Sequence, residues 1–490
     1  MQEIYISASI FLKVQKEQKE MKQILLDCLP DETAMAVLND GVLTEFEVER
    51  PHETSLVGRI YAGTVKNSVP SLKGLFIDIG EKKNAFLRLN NWPQHRKKPT
   101  VGMSVLVQVI KDSTDTKGPL VSGEVSLPGR YAVLVADTDY IGVSRKIEEE
   151  AERMRLKQLG EACCPEGCGL IIRTAAREGN EEAVKREFMH LESTWKIIER
   201  RLRIEKAPVL LYRGIDLVVR CLRDYADMET EIIVDDAETE KRLLSVNQSE
   251  QVVKSENIHL YEGAVPIMKR YGAADSIQQL FERQVNLPSG GSIVIDYTEA
   301  LTAIDVNSGS FHAKGMPHGE VAYLINKEAV PEIARQIRIR GIGGIIMIDF
   351  IDMDHDWQKE NIVKRLREAV SSDKVKTVVC GMTSLGLVEM TRKRTAYRLE
   401  HVYYDTCPCC KGSGLSVSAE SVVIRIHREL KMRRQMGNFQ SSLRIECHPA
   451  VARLLQTEEE QHQLHTCFHV KPIIKAREDM AIEVFSILSE

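Results

Sequence analysis

The segment GIGGIIMIDFIDM, residues 341–353, constrains the fold more tightly than any other part of the chain. Its core IIMID is apolar at every position but the last, so it reads as a strand covered on both faces. Helical periodicity precedes it over 321–340 and follows it over about 359–371. Strands buried on two sides and alternating with helices predict an α/β layered domain over about 286–404.

Just upstream, ALTAIDVNSG reads as a second strand of the same block. Asp305 and Asn307 are two residues apart and share one face, while Ile304 and Val306 share the other. Asp349 ends IIMID, and Asp352 follows three residues on. If the two strands are neighbours, Asp305 and Asp349 converge at one edge of the sheet. A carboxylate pair with open water positions suits Mg²⁺, which takes six oxygens at about 2.0–2.1 Å and keeps much of its hydration. A lone strand-end Asp ordinarily caps the next turn. The pair, with Asn307 beside one member, weighs that reading against a metal that activates water and stabilises charge on a phosphoryl oxygen.

Between residues 58 and 122, the short runs GRIYAGTVKNSV, GLFIDIG, NAFLRL and SVLVQVIKD predict a small all-β, OB-like barrel. Phe76 and Phe86 are candidates for base stacking on it, with Lys117 in TKGP available to a phosphate. Aromatics in small barrels are more often core, but the basic loop HRKK, His95–Lys98, favours a nucleic-acid face. A helix over 146–159, the strand LIIRT and a long amphipathic helix over about 181–206 follow. Arg173 and Thr174 end LIIRT, where an Arg beside a hydroxyl can fork onto a terminal phosphate. Beyond Pro208, VLLY, DLVVRCL and TEIIVDD read as strands. Basic runs flank the acidic pair: Arg335, Arg338 and Arg340 on one side, Arg392, Lys393, Arg394 and Arg398 on the other. Charge runs are usually solvated faces, but around a carboxylate pair they suit a polyanionic substrate.

Eleven cysteines include CPCCKGSG, in which Cys407 and Cys410 have zinc-knuckle spacing and Cys409 competes with them. Cys163, Cys164 and Cys168 have the wrong spacing. A single half-site suggests two protomers sharing one zinc through four thiolates, the alternative being a reduced reactive pair. No apolar run approaches the ~18 residues that span a bilayer. The first twenty residues lack the charge and cleavage pattern of a signal peptide, so a cytoplasmic protein is expected. A formal net charge of −5 excludes a globally basic coat but permits a local basic groove.

The motifs LFIDIG, AFLRL, LTAIDVNSG, IIMIDFIDM, LGLVEMTRKR and CPxCxGxG, in that order, resemble the ribonuclease E/G family over about residues 21–415. The resemblance implies a multidomain α/β plus all-β chain. Its expected parts are an extension (1–20), a ribonuclease H-like subdomain in two pieces (21–57 and 208–281), an S1-type OB-fold RNA-binding barrel (58–122) and a 5′-sensor subdomain (123–207). A deoxyribonuclease I-like catalytic subdomain (282–402), a zinc link (403–414) and a small C-terminal α/β domain (415–490) complete it.

By motif match, Asp305 and Asp349 hold catalytic Mg²⁺ and Asn307 orients the attacking water or the scissile phosphate. Phe76, Phe86 and Lys117 grip RNA, and Gly129, Val133, Arg173 and Thr174 sense a 5′-monophosphate. The family brings a further Arg to that sensor where this chain has Lys376, which keeps the charge and loses the bidentate fork. Cys407 and Cys410 match a zinc link joining two protomers into a dimer from which a tetramer is built. The implied activity is hydrolysis of single-stranded, AU-rich RNA to 5′-phosphate and 3′-hydroxyl ends, in ribosomal RNA maturation and messenger decay. From a length of 490 residues no degradosome scaffold tail is expected. A non-catalytic S1-type RNA-binding or ribosome-associated protein is the alternative, and the retained Asp305, Asn307 and Asp349 weigh against it.

Overall fold

A computed structural model describes residues 21–50, 55–113, 117–177, 179–309, 317–394, 399–408, 410, 412–436 and 443–489. The expected extension over 1–20, Arg398 and Cys409 lie outside these residues. The chain divides into two compact units, Met1–Val402 and Tyr403–Glu490.

Among the described residues the first unit holds four sheets. Lys22–Leu29, Glu32–Asn39 and Val42–Glu49 form an antiparallel meander. Lys22–Leu29 also pairs, in parallel, with Glu231–Val234, and that strand with Ile258–Leu260. One sheet is therefore built from two distant pieces of sequence. Its core includes Ile24, Leu26, Met35, Val37, Ile232 and Val234, packed against Leu217, Val218 and Leu222. DLVVRCL, read from sequence as a strand, is instead the helix Leu217–Arg220 running into a wider, π-helical turn at Cys221–Tyr225. The Asp216 carboxylate accepts the Val219 N–H at 3.1 Å and caps that helix, and tertiary burial overrides the β preference of its valines.

Five strands close into a barrel in the order Ile60–Val69, Gly74–Asp78, Ala85–Arg88, Leu120–Ser122 and Ser104–Lys111, with the last pairing back onto the first. This strand order is consistent with an OB fold. Alternation sends Leu75, Ile77 and Leu87 into the core and leaves Phe76 and Phe86 half-buried on the outside. Val209–Tyr212 adds a strand to the barrel.

A four-stranded sheet of Ser126–Pro128, Ala132–Ala136, Cys168–Ile172 and Ile141–Val143 follows. Helices Glu150–Cys163 and Glu181–Ile204 contribute Leu156, Phe188, Leu191 and Trp195 to its core.

The fourth sheet has the order Gln284–Asn286, Ser292–Tyr297, Leu301–Asn307, Gly344–Asp349, Leu387–Arg392 and Thr377–Met382. Only Leu301–Asn307 and Gly344–Asp349 are parallel neighbours. Helices His318–Ile339 and Asp356–Val370 follow those two strands, and their apolar residues share one core with Ile304, Val306, Ile346 and Ile348. The expected covering of both faces is not found among the described residues. Ile345 is 49% exposed on the opposite face, which also carries the exposed Asp305, Asn307 and Asp349. Apolar composition on both sides of IIMID concealed a two-layer arrangement with an open face.

In the second unit, Leu443–Cys447 lies between Ile473–Ala476 and Phe485–Ser489. Helices Ala419–Gln435, Pro449–Leu455 and Glu458–Phe468 supply Val422, Ile426, Leu430, Val451, Leu455 and Leu464 to its core. Among the described residues no helix is long and apolar enough to cross a membrane.

Candidate functional site

Asp305 and Asp349 are direct cross-strand partners at the ends of the two parallel strands. Both are exposed on the open face, because alternation points Ile304, Val306 and Ile348 into the core. Asn307 lies on the same face, and its Nδ2 donates to Asp305 Oδ2 at 2.7 Å. Desolvation, then the charges of Asp305 and Asp352, raise the Asp349 carboxyl above the ordinary carboxylate range. Repulsion of that kind is what a divalent cation would relieve, and two carboxylates with an adjacent amide form an oxygen donor set that fits Mg²⁺. Among the described residues no cluster of three or more His, Cys, Asp or Glu forms a metal site, so solvent would complete the coordination.

Asn326 supports this site from beneath. It is wholly buried on helix His318–Ile339, donates to the Ile351 carbonyl at 2.8 Å and accepts the Ile351 N–H at 3.0 Å. These bonds fix the backbone two residues beyond Asp349. In sequence Asn326 is one polar residue in an amphipathic helix, and only an unexpected polar position on its apolar stripe could have signalled it.

On the barrel, Phe76 and Phe86 are also cross-strand partners, with ring centroids 5.4 Å apart. Gly74 makes room for them, since a Cβ there would lie 2.3 Å from Phe86 Cζ. Lys117 is exposed and precedes Leu120, the cross-strand partner of Phe86. The loop of Lys117 thus leads into the strand beside Phe86. The HRKK loop divides: Lys97 and Lys98 are exposed, whereas Arg96 pairs with Asp137 and stacks on Trp92.

Arg173 Nη1 donates to the Gly129 carbonyl at 2.7 Å, and the Arg173 N–H donates to the Tyr131 carbonyl at 2.7 Å. Thr174 Oγ1 hydrogen-bonds Ser144 Oγ at 3.0 Å. Val133 is half-buried on the strand paired with the one leading into Arg173. Glu187, unnoticed in the sequence, organises this turn. Its carboxylate accepts the backbone N–H groups of Arg130, Tyr131 and Ala132 at 2.7, 2.7 and 3.0 Å. A Cβ on Gly129 would lie 2.4 Å from Glu187 Oε1, so the turn needs glycine for this approach.

Lys376 is exposed just before strand Thr377–Met382, and its carbonyl accepts the Lys393 N–H at 3.0 Å. Lys374, two residues earlier, packs against Tyr225. Its ammonium lies 3.0 Å from the Tyr225 ring centroid, and desolvation pushes it down to about 8, against the attraction of Glu45 and Asp224. Asp224 in turn lies 3.9 Å from Arg173 and pairs with Arg223.

The flanking basic runs are largely structural. Arg335 donates to the Leu43 carbonyl at 2.9 Å, Arg338 approaches Glu45 at 3.9 Å, and Arg340 is 3% exposed and bonded to Gln336. Arg335 and Arg338 fasten their helix to strand Val42–Glu49. Arg392 forms a buried fork with Asp373, at 2.7 and 3.2 Å, and donates to the Ile342 carbonyl at 2.9 Å. Arg335, Arg338, Arg340 and Arg392 are thus engaged within the fold, while Lys393 and Arg394 remain exposed.

In the second unit, Cys407 is exposed and Cys410 half-buried, in a turn where the Cys410 carbonyl accepts the Ser413 N–H at 2.9 Å.

A sequence model of the ribonuclease E/G family matches residues 126–395. Ribonuclease G of Escherichia coli is 37% identical over 459 residues, covering 89% of this chain and 93% of that protein. Ribonuclease G of Haemophilus influenzae is 36% identical over 89% of this chain and 92% of its own length. Ribonuclease E of a Nostoc species is 36% identical over 78% of this chain and 57% of its own length.

Proposed function

The chain belongs to the ribonuclease E/G family, and we propose that it is a Mg²⁺-dependent endoribonuclease cleaving single-stranded, AU-rich RNA to 5′-phosphate and 3′-hydroxyl ends. It acts in the cytoplasm, in ribosomal RNA maturation and messenger decay. The observation that carries this reading is the cross-strand pairing of Asp305 with Asp349 on an open, solvent-facing sheet.

In this reading Asp305 and Asp349 bind the ion, and the Asn307 amide holds the Asp305 carboxylate in place. When bound, the ion supplies Lewis-acid stabilisation at a phosphoryl oxygen and lowers the pKa of water. Water adds to phosphorus in line with the departing 3′ oxygen, which leaves as the 3′-hydroxyl while the phosphate stays on the 5′ end. Phe76 and Phe86 stack bases, and Lys117 neutralises a phosphate. Arg173 and Thr174 receive a 5′-monophosphate over the turn of Gly129 and Val133, with Lys376 as the further cation of that subsite. We assign the split sheet to the ribonuclease H-like part, the barrel to the S1 domain and the Asp305 sheet to the catalytic part. Cys407 and Cys410 share one zinc with a second protomer, and two such dimers form the tetramer.

A non-catalytic RNA-binding protein has no use for two like charges held side by side. The test is Asp305→Asn, which should abolish cleavage of a short AU-rich strand in Mg²⁺ while leaving RNA affinity and the melting temperature near parental values. Cleavage at the parental rate would remove Asp305 from the reaction.

A further inference from the structure

Strands Leu301–Asn307 and Gly344–Asp349 run parallel, so the helix following each begins near the edge where Asp305 and Asp349 sit. Ligands of α/β sheets collect outside these carboxyl ends. Three aromatic side chains meet there. Trp357, in the first turn of helix Asp356–Val370, packs edge-on against Tyr323 of helix His318–Ile339, with centroids 5.3 Å apart at 65°. His355 lies nearly parallel to the indole, at 15° and 6.5 Å.

The group is held by more than packing. Tyr323 Oη donates to Asn361 Oδ1 at 2.9 Å, and His355 closes a reciprocal capping box with the buried Gln358. Yet Trp357 remains 57% exposed. A large apolar ring fixed in place and turned toward water offers a stacking surface at little further loss of side-chain freedom. Of the neighbouring acids, Asp354 lies beside Gly319 at the start of helix His318–Ile339, and Asp356 pairs with Lys359 at 3.3 Å. The exposed indole leaves a face that a base can approach while its phosphates stay on the side of the carboxylate pair.

We propose that Trp357, backed by Tyr323 and His355, is a stacking platform for an unpaired base of the RNA strand held at Asp305 and Asp349. This rests on the endoribonuclease reading above. Because every base has a π-face, the platform favours unpaired over paired RNA and tolerates sequence, with purines held best.

The test compares the parent with Trp357→Leu and Trp357→Phe on a 5′-monophosphorylated AU-rich decamer and on a set carrying one abasic site at each position. Trp357→Leu should raise KM by about 5- to 150-fold with kcat within about twofold, as expected for the loss of one stacked base. Trp357→Phe should restore most of the affinity. One abasic position should weaken the parent and leave Trp357→Leu unaffected. In an Asp305→Asn background, RNA should quench tryptophan fluorescence, and Trp357→Leu should remove most of that quench.

If the parent cleaves and Trp357→Leu shows an unchanged KM and the parental abasic profile, the platform is overturned and the endoribonuclease reading survives. An unchanged KM with a dissociated oligomer assigns the ring to a protein contact and also overturns it. A parent that neither binds nor cleaves the decamer overturns both.

Discussion

Arg392 and Asp373 give the sharpest test of how the sheet bearing Asp305 and Asp349 is held. Both side chains are 4% exposed. Asp373 accepts two bonds from Arg392, one from the Val375 N–H at 2.9 Å and one from Thr377 Oγ1 at 3.0 Å. Arg392→Met conserves volume and leaves a buried carboxylate without its cation, a change that destabilises by about 3–5 kcal/mol. Arg392 is the cross-strand partner of Gly344, at the far end of the strand carrying Asp349. Amide hydrogen exchange in Gly344–Asp349 and Leu387–Arg392 reads the loss locally, as a rise of about 150- to 5000-fold in exchange rate.

The pH dependence has a definite sign. Burial raises the Asp373 carboxyl, but the Arg392 bonds and charge outweigh it, and the net shift is downward. A carboxylate depressed on folding stabilises above its unfolded pKa of about 3.9, and that contribution fades as pH falls through the lower folded value. Without Arg392 the same carboxyl is raised, so the variant binds a proton earlier and recovers. The gap between parent and variant should therefore narrow from pH 7 toward pH 4. Equal exchange at pH 7, or a gap that widens on acidification, would refute the reasoning. Replacing both partners by apolar residues should restore most of the protection.

Gly74→Ala must displace the Phe86 ring, because the new Cβ would meet Phe86 Cζ at 2.3 Å. Affinity for single-stranded RNA should drop by the worth of about one stacked base, ~1–3 kcal/mol, in a binding titration, and unchanged affinity would separate Phe86 from RNA. Glu187→Ala frees the three N–H groups of 130–132 and should cost about 1–3 kcal/mol of stability. It should also reduce any preference for 5′-monophosphate over 5′-hydroxyl substrates, and an undiminished preference would detach Glu187 from that subsite. Cys407→Ser with Cys410→Ser should release zinc and weaken the oligomer, and elemental analysis of the parent should give one zinc per two chains. One zinc per chain would rule out sharing.

Where local periodicity and position coincide, the sequence was informative. Alternation alone put Asp305 and Asn307 on one face, whereas the meeting with Asp349 was conditional on strand order, which the parallel pairing supplies. Phe76 and Phe86 are legible as barrel aromatics, and it is strand alternation in the structure that leaves them on the outside. Other features depend on partners that no window of sequence contains. Arg335 and Arg338 look like a substrate-facing run until strand Val42–Glu49 packs against them. Lys374 and Lys376 are two residues apart in a loop without a period, so nothing local says which one reaches Asp224. Glu187 is one acid among many on a charged helix face, and its role exists only because the turn after Gly129 folds over it. The open sheet face was illegible for the opposite reason, since Ile345 and Met347 are apolar and still lie outside the core that holds Ile346 and Ile348.

The split sheet has a consequence for biosynthesis. Lys22–Leu29 emerges early from the ribosome, but its parallel partner Glu231–Val234 follows about two hundred residues later. At ~5–20 residues per second, that is a delay of roughly 10–40 s. During it, one edge of the meander has no strand to pair with and Met35 and Val37 lack the apolar cover they have in the finished core. The barrel, whose closing strands all lie within 60–122, can form in the meantime. The nascent chain therefore carries a closed five-stranded barrel beside a sheet that stays incomplete until residue 260 has cleared the exit tunnel.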